Sequence, residues 1–210
     1  MMNNCYIIGA NCGEVSFLKE DGDLIIAADG GYKAAVNSGV EPDVILGDFD
    51  SLGFVPSGKE VITLPVCKDD TDMLFAVKLG LERGYKNFYI YGGMGGRTDH
   101  TVANIQTLSF IAQNGARGYL VSQDEVLTVI KNSSIAFSPE AKGTISVFGF
   151  GGRAQGVNIK GLFYELQDAT LDPSFPLGVS NSFKGISSLV EVKDGCLLVV
   201  FGKTEYVAEL

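Results

Sequence analysis

Along the first 120 residues the apolar positions gather into short runs, each closed by a polar or glycine-rich break. Tyr6–Ile8, Leu24–Ala28, Val44–Leu46, Val61–Leu64, Phe88–Tyr91 and Tyr119–Val121 are short and mostly apolar, as buried strands are. Three stretches between them carry helical spacing instead. A short helix fits Tyr32–Ser38, stopped by Gly39. A second fits residues 72–83, with Met73, Val77 and Leu81 on one face, Leu74 beside them and Gly84 as the stop. The longest, residues 99–114, is expected to turn Val102, Ile105, Leu108 and Ala112 inward and to end before Gly115. Strands alternating with helices predict an N-terminal, mostly parallel sheet with flanking helices.

The pattern changes near Asp124. No helical period follows. Short runs recur at Val126–Ile130, Ser134–Phe137, Thr144–Phe148, Gly156–Ile159, Ser187–Val192 and Leu197–Phe201, punctuated by Gly, Pro, Asn or Asp. Runs so spaced predict a C-terminal antiparallel β-sandwich, and the fold class expected is α/β with this second, all-β part. The expected domains are residues 1–124 and 125–210.

Composition narrows the partners. The chain has 210 residues, 46% hydrophobic, enough to fill two cores. Its net charge of −9 repels nucleic acid and anionic membranes, but an acidic cleft accepts magnesium and the polyphosphate that travels with it. Cys5, Cys12, Cys67 and Cys196 show no C-x-x-C spacing, and the single histidine, His100, completes no zinc set. Unpaired thiols fit a reducing, cytoplasmic setting. The first thirteen residues have neither the charge nor the apolar length of a signal peptide or anchor, and no run approaches a membrane span.

The candidate chemistry sits directly after the parallel-strand candidates: Asp29, then Asp48 and Asp50, then Gly92–Asp99, then Ser122 and Gln123. In open α/β sheets ligands bind beyond the carboxyl ends of the strands, so these segments are expected to converge on one crevice. Asp48 and Asp50 stand two apart; in an extended chain both point to one side, where they repel unless a cation lies between them. Magnesium suits oxygen-only ligands, whereas an Asp-rich turn bonding its own amides is the alternative. In Lys68-Asp69-Asp70-Thr71-Asp72, Asp70 or Thr71 can cap the helix while another carboxylate, Asp72 above all, holds metal. Gly92-Gly93-Met94-Gly95-Gly96-Arg97 lets backbone approach a phosphate at a helix start, and Arg97 adds a forked donor; the alternative is a flexible turn with Thr98 or Asp99 as the helix cap. This is not a Walker loop. Ser122-Gln123-Asp124 either bonds a nucleotide or turns the chain, and Gly178-Val179-Ser180-Asn181 either lines a pocket or forms a hairpin turn.

Taken in order, Ala28-Asp29-Gly30-Gly31, Pro42-Asp43, Gly47-Asp48-Phe49-Asp50-Ser51, Asp70-Thr71-Asp72, Gly92-Gly93 through Gly96-Arg97-Thr98-Asp99-His100, and Gly178-Val179-Ser180-Asn181 resemble the thiamine pyrophosphokinase family across nearly the whole chain. The resemblance implies a catalytic α/β domain that binds ATP and Mg2+ and a thiamine-binding β-sandwich. It implies transfer of pyrophosphate from ATP to thiamine, giving thiamine diphosphate and AMP. It makes Asp48, Asp50 and Asp72 the magnesium ligands and sets Asp29, Arg97 and Gln123 near ATP. It also implies a homodimer in which Asp99 of one subunit faces thiamine together with Ser180 and Asn181 of the other. The chain has no tryptophan, which the resemblance places over thiamine in the animal enzymes and for which Phe183 is the substitute here, and it carries Ser182 where many bacterial members have Glu. Asp50 and Asp72 both qualify as the base that takes the hydroxyl proton. Two rivals stand beside this reading. One is a pyrophosphokinase acting on a pterin alcohol, which the Ser180-Asn181 pair disfavours. The other is a thiamine or nucleotide sensor, which needs no three acidic clusters.

Overall fold

The computed structural model describes residues 3–50, 52–67 and 69–203, so Ser51 and Lys68 lie outside the described residues. The chain forms two compact units, divided between Ser122 and Gln123. Both helix and strand are present, with three helices among the described residues.

The first unit contains β1 (Asn4–Ile8), β2 (Leu24–Ala28), α1 (Gly31–Asn37), β3 (Val44–Gly47), β4 (Val61–Thr63), α2 (Asp72–Glu82), β5 (Asn87–Tyr91), α3 (Thr98–Gln113) and β6 (Arg117–Val121). The strands lie in the order β4-β3-β2-β1-β5-β6, and every neighbouring pair is parallel. Strands β1 to β3 are buried on both faces, which is why they read as continuous apolar runs. Each fully buried Ile or Leu there contributes roughly 1.5–3 kcal/mol. On one face, α2 lays Gly80 against Phe88 and Cys5, so tightly that a Cβ on Gly80 would meet the phenyl ring, and α3 lays Leu108 and Ile111 over Gly118. Burial pushes the Cys5 thiol far up, which leaves it inert. On the opposite face Tyr6, Tyr89 and Tyr119 stack across β1, β5 and β6 with centroids 5.3–5.4 Å apart, and Phe17 lies flat on Tyr6 at 4.0 Å. The connection from β1 to β2 carries Phe17 and is pinned by Asp43, whose carboxylate takes the Ile25 amide (2.9 Å), Lys19 (2.7 Å) and Lys59 (3.2 Å).

The helices fall close to where the hydrophobic spacing sets them, but two buried faces differ. In α2 the buried residues are Met73, Ala76, Val77 and Gly80, while Leu74 and Leu81 are only half-buried. Small residues face the sheet here because the helix sits too close for leucine. In α3 the buried residues are Asn104, Thr107, Leu108 and Ile111; Val102, expected inward, is 52% exposed. The inner face of α3 turns polar toward its N-terminus because Asn104 bonds the glycine loop, 2.8 Å to the Gly93 carbonyl.

Among the described residues the second unit is all β: β7 (Glu125–Lys131), β8 (Ser134–Phe137), β9 (Thr144–Lys160), β10 (Leu166–Leu171), β11 (Gly178–Ser182), β12 (Ser188–Glu191) and β13 (Asp194–Gly202). All pairings within it are antiparallel. The expected runs Thr144–Phe148 and Gly156–Ile159 are the two ends of one seventeen-residue strand, β9. Its first half pairs with β13 and β11, and its second half with β10 and β12. The break in hydrophobicity at Gly151–Arg153 is an exposed stretch of the same strand, not a turn.

Candidate active site

The strand order reverses at β1, whose neighbours are β2 on one side and β5 on the other. Beyond the carboxyl ends of these strands lies a cleft of about 390 Å³ within the first unit. Its walls are Gly9–Asn11 after β1, Ala28 and Asp29 after β2, the Gly92–Arg97 segment after β5, and the first turns of α2 and α3. A crevice at such a switch point is where open α/β sheets bind ligands. Of the expected site residues, Asp29, Asp72 and Arg97 line it, and His100 joins them.

The acidic residues differ in setting. Asp29 adopts φ +47, a conformation few non-glycine residues take, and its amide donates to Leu46 (2.7 Å). Gly47 lies so near that a Cβ on it would stand 3.0 Å from the Asp29 Cα, so the end of β3 is held against Asp29. Asp48 and Asp50 follow, but not in an extended chain. Phe49, buried, has φ +60, and the Asp50 amide donates to Asp48 Oδ1 (3.2 Å), so the segment is a tight turn with Asp48 half-buried and Asp50 exposed. The expectation that both carboxylates point to one side of a strand is thereby replaced by a turn. Two adjacent strand ends thus carry strained residues, a pattern that concentrates at functional sites. In α2 the cap is Thr71, whose hydroxyl accepts from the Leu74 amide (3.1 Å). Lys78 engages Asp70 at 2.7 Å. With Thr71 capping and Asp70 bound, Asp72 is the carboxylate of this cluster that lines the cleft, with Oδ1 out of contact with solvent. Among the described residues no three Asp, Glu, His or Cys side chains form a ready-made metal cage.

The glycine loop is shaped by its packing. Only glycine fits at position 92, where φ is +70 and a Cβ would strike the Gly9 carbonyl and Cys12. Helix α3 then begins with Arg97 as its cap residue and no side-chain cap, in place of the expected Thr98 or Asp99. An uncapped first turn leaves amides available to an anion. Asp99 lies outside the cleft lining and is 65% exposed; it forks with Arg97 through bonds of 2.6 and 3.1 Å and also accepts the His100 amide. The Arg97 guanidinium holds the Asp99 carboxyl below the usual carboxylate range, and Arg97 itself is pushed up by the same pair. The fork keeps Arg97 at the cleft rim.

The remaining expected residues belong to the second unit. Gln123 is exposed in the bend before β7. Ser180, on β11 at φ +57, is exposed and donates its amide to Ser146 Oγ (3.1 Å). Asn181 is only 4% exposed, and its amide is committed inside the unit. Its Oδ1 accepts from the Tyr164 and Ser182 amides (both 2.9 Å), and its Nδ2 donates to the Tyr164 carbonyl (2.7 Å). The turn it clamps presents Phe163 and Tyr164, two-thirds exposed and edge-to-face at 5.9 Å. Phe183 packs edge-on against Phe137 (5.1 Å) as part of the interior. Sequence reasoning missed Asn11, Asn104 and the Phe163–Tyr164 turn. Asn11 follows β1, so the rule that located the other segments would have found it.

Residues 16–120 match the sequence family described as thiamin pyrophosphokinase, catalytic domain, and residues 132–197 match its vitamin B1 binding domain. The chain belongs to the thiamin pyrophosphokinase family. Membership makes it an enzyme that pyrophosphorylates thiamine. It is 24% identical over 184 residues to the thiamine pyrophosphokinase of Bacillus subtilis, covering 84% of this chain and 86% of that one. The crystal structure of a thiamine pyrophosphokinase from Bacillus subtilis shares the fold at a TM-score of 0.83 and 22% identity, over 96% of this chain and 99% of that one. The thiamin pyrophosphokinase of Geobacillus thermodenitrificans does so at 0.81 and 20%, over 96% and 98%. That of Candida albicans does so at 0.77 and 16%, over 96% and 90%. The two family matches divide along the chain much as the two compact units do.

Proposed function

We propose that the chain transfers the β,γ-pyrophosphoryl group of ATP to the hydroxyl of thiamine, releasing AMP, with the first unit as the ATP- and magnesium-binding catalytic domain and the second, a β-sandwich, as the thiamine-binding domain. The observation that carries this reading is the cleft at the β1–β5 switch point, where Asp29, Asp72 and Arg97 meet a glycine loop and an uncapped helix start. Charge of both signs in one crevice suits a polyphosphate accompanied by a cation.

The donor set fits a hard divalent ion, since Asp29, Asp48, Asp50 and Asp72 offer only oxygen, and Asp72 Oδ1 is withdrawn from solvent. Magnesium usually keeps waters and takes phosphate oxygens as ligands, so a cage of three side chains is not required of the protein alone. Asp48, Asp50 and Asp72 are the proposed ligands, and the ion when bound would neutralise charge on the phosphates. Asp29, Arg97 and Gln123 are proposed to bind ATP: Arg97 with its fork, and the loop and first α3 amides by hydrogen bonds to phosphate oxygens. Asp50 or Asp72 takes the proton from the thiamine hydroxyl as its oxygen attacks the β-phosphorus and the α–β bridging bond breaks. The work of the side chains is alignment and charge complementarity.

For the acceptor, the reading assigns a homodimer with each thiamine site shared. Asp99 comes from one subunit and Ser180 and Asn181 from the other, Asn181 acting by fixing Tyr164 because its own amide is engaged. None of the four cysteines forms a disulfide, in keeping with a cytoplasmic setting. No helix among the described residues is long and apolar enough to cross a membrane.

Incubation with ATP, Mg2+ and thiamine followed by product identification tests the reading. Equal amounts of AMP and thiamine diphosphate are expected. ADP with thiamine monophosphate would overturn it.

A further inference from the structure

Three consecutive carbonyls of the glycine loop are each held by a donor from a neighbouring segment. The Asn11 backbone amide donates to Gly92 O (3.2 Å), Asn104 Nδ2 to Gly93 O (2.8 Å) and Asn11 Nδ2 to Met94 O (2.7 Å). In a trans peptide the N–H points opposite to the C=O. Fixing three consecutive carbonyls therefore fixes the direction of the next three amides, those of Gly93, Met94 and Gly95. Among the described residues none of these amides donates to a protein acceptor. Gly93 O can only accept, so Asn104 must present its nitrogen there, and the same logic orients Asn11. The fit leaves no slack. A Cβ on Gly96 would stand 2.7 Å from Asn11 Nδ2, and one on Gly93 would stand 3.1 Å from Asn104 Nδ2.

Resting on the reading of this cleft as a polyphosphate site, we infer that Asn11 and Asn104 are positioning residues that latch the Gly92–Gly96 loop so that its amides are preorganised for the phosphates of ATP. Neither has to touch the reacting atoms. Asn11 reaches the loop from the end of β1 and Asn104 from α3, so the two latches span the switch point. Without either one, the loop's left-handed residues Gly92 and Gly95 let its peptides rotate, and the amides lose their fixed directions. Preorganised donors cost no reorganisation when charge arrives; free ones do.

The test uses the full chain and α,β-methylene-ATP with Mg2+, an analogue whose α–β link does not break. Asn11→Ala and Asn104→Leu each remove the donor without adding charge. Each is expected to weaken analogue affinity and raise KM for ATP by about five- to tenfold, the scale of one lost hydrogen bond and its ordering. KM for thiamine should stay within twofold. Binding of adenosine, which lacks phosphates, should not change. Asn11→Gln, which returns a donor on an exposed side chain, should recover most of the loss. The double variant should lose less than the product of the two single losses, because both hold one loop. Asn104 is buried, so if its variant does not fold, Asn11→Ala and Asn11→Gln carry the test alone. Wild-type affinity for the analogue in Asn11→Ala would overturn the latch, as would an equal loss of adenosine binding. Failure of the wild-type chain to bind the analogue would instead overturn the polyphosphate reading beneath it.

Discussion

Removing the carboxylate of Asp43 should loosen the first unit by an amount the geometry fixes. This carboxylate accepts the amide of Ile25, a residue 3% exposed, and pairs with Lys19 and Lys59, whose side chains are 37% and 54% exposed. A hydrogen bond to a charged acceptor contributes about 1.5–3 kcal/mol, and each half-exposed ion pair about 0.2–1 kcal/mol. Asp43→Ala forfeits all of these and should cost about 2–5 kcal/mol. Asp43→Asn keeps an oxygen for the Ile25 amide and should cost about 1 kcal/mol. At about 2–4 °C per kcal/mol for a chain of this size, Tm should fall by about 4–20 °C for Ala and 2–4 °C for Asn. Thermal melts followed by far-ultraviolet circular dichroism read both. The pH dependence has a definite sign. Burial pushes the Asp43 carboxyl up, but Lys19, the Ile25 amide and Lys59 outweigh it and hold the group below its ordinary 3.8. A depressed carboxylate stabilises the fold above its unfolded pKa and loses that contribution as pH falls through the folded one. The gap between wild type and Asp43→Asn should therefore be constant from pH 7 to about 5 and close below 3.8. A gap that widens on acidification, or equal melting of Ala and Asn variants, would refute the assignment.

Three further outcomes are expected. Arg97→Lys should raise KM for ATP by about tenfold, since a point charge cannot make the fork that now also engages Asp99; unchanged kinetics would place Arg97 outside the site. Asp48→Asn retains an oxygen for the Asp50 amide, so the turn should hold and stability stay within about 0.5 kcal/mol while turnover collapses; near-normal turnover at limiting magnesium would make Asp48 a turn residue only. Mixing Asp50→Asn subunits with Asn181→Trp subunits, each inactive alone, should restore about a quarter of wild-type activity if sites are shared across a two-fold dimer, and none despite confirmed exchange if they are not.

Much of the first unit can be read from the chain because β1 to β3 are buried on both faces and its helices are followed by left-handed glycines. Leu24–Ala28 and Ser134–Phe137 are strands residue for residue. The errors share one cause: local polarity that serves a tertiary purpose. Asn104 and Thr107 look like solvent positions on α3, yet they are buried. Strands β10 and β11 were unread because Gln167, Asp168, Ser180 and Asn181 interrupt any alternation, and their pairing to β9 is itself bulged. The cleft was legible in part: positions after strands put Asp29 and Arg97 along it and the acidic cluster at the head of α2 put Asp72 there, whereas Asp48 and Asp50 are not among its lining residues. What a sequence could not carry was backbone conformation. The left-handed Phe49 that folds Asp48 and Asp50 into a turn has no signature in its residue type.

The pairing of β13 sets a timetable for biogenesis. All six strands of the first unit precede residue 122, so that unit has its whole parallel ladder translated while synthesis of the rest continues. The second unit does not. Its last strand, Asp194–Gly202, is the neighbour of both β7 and the first half of β9. Between translation of Lys160 and Gly202, both apolar edges wait for that strand. At roughly 5–20 residues per second this interval is about 2–8 s. Exposed apolar edges of this kind recruit other chains. Nascent chains halted before β13 should therefore be the species that chaperones hold or that aggregate, while the first unit in the same molecules is already native.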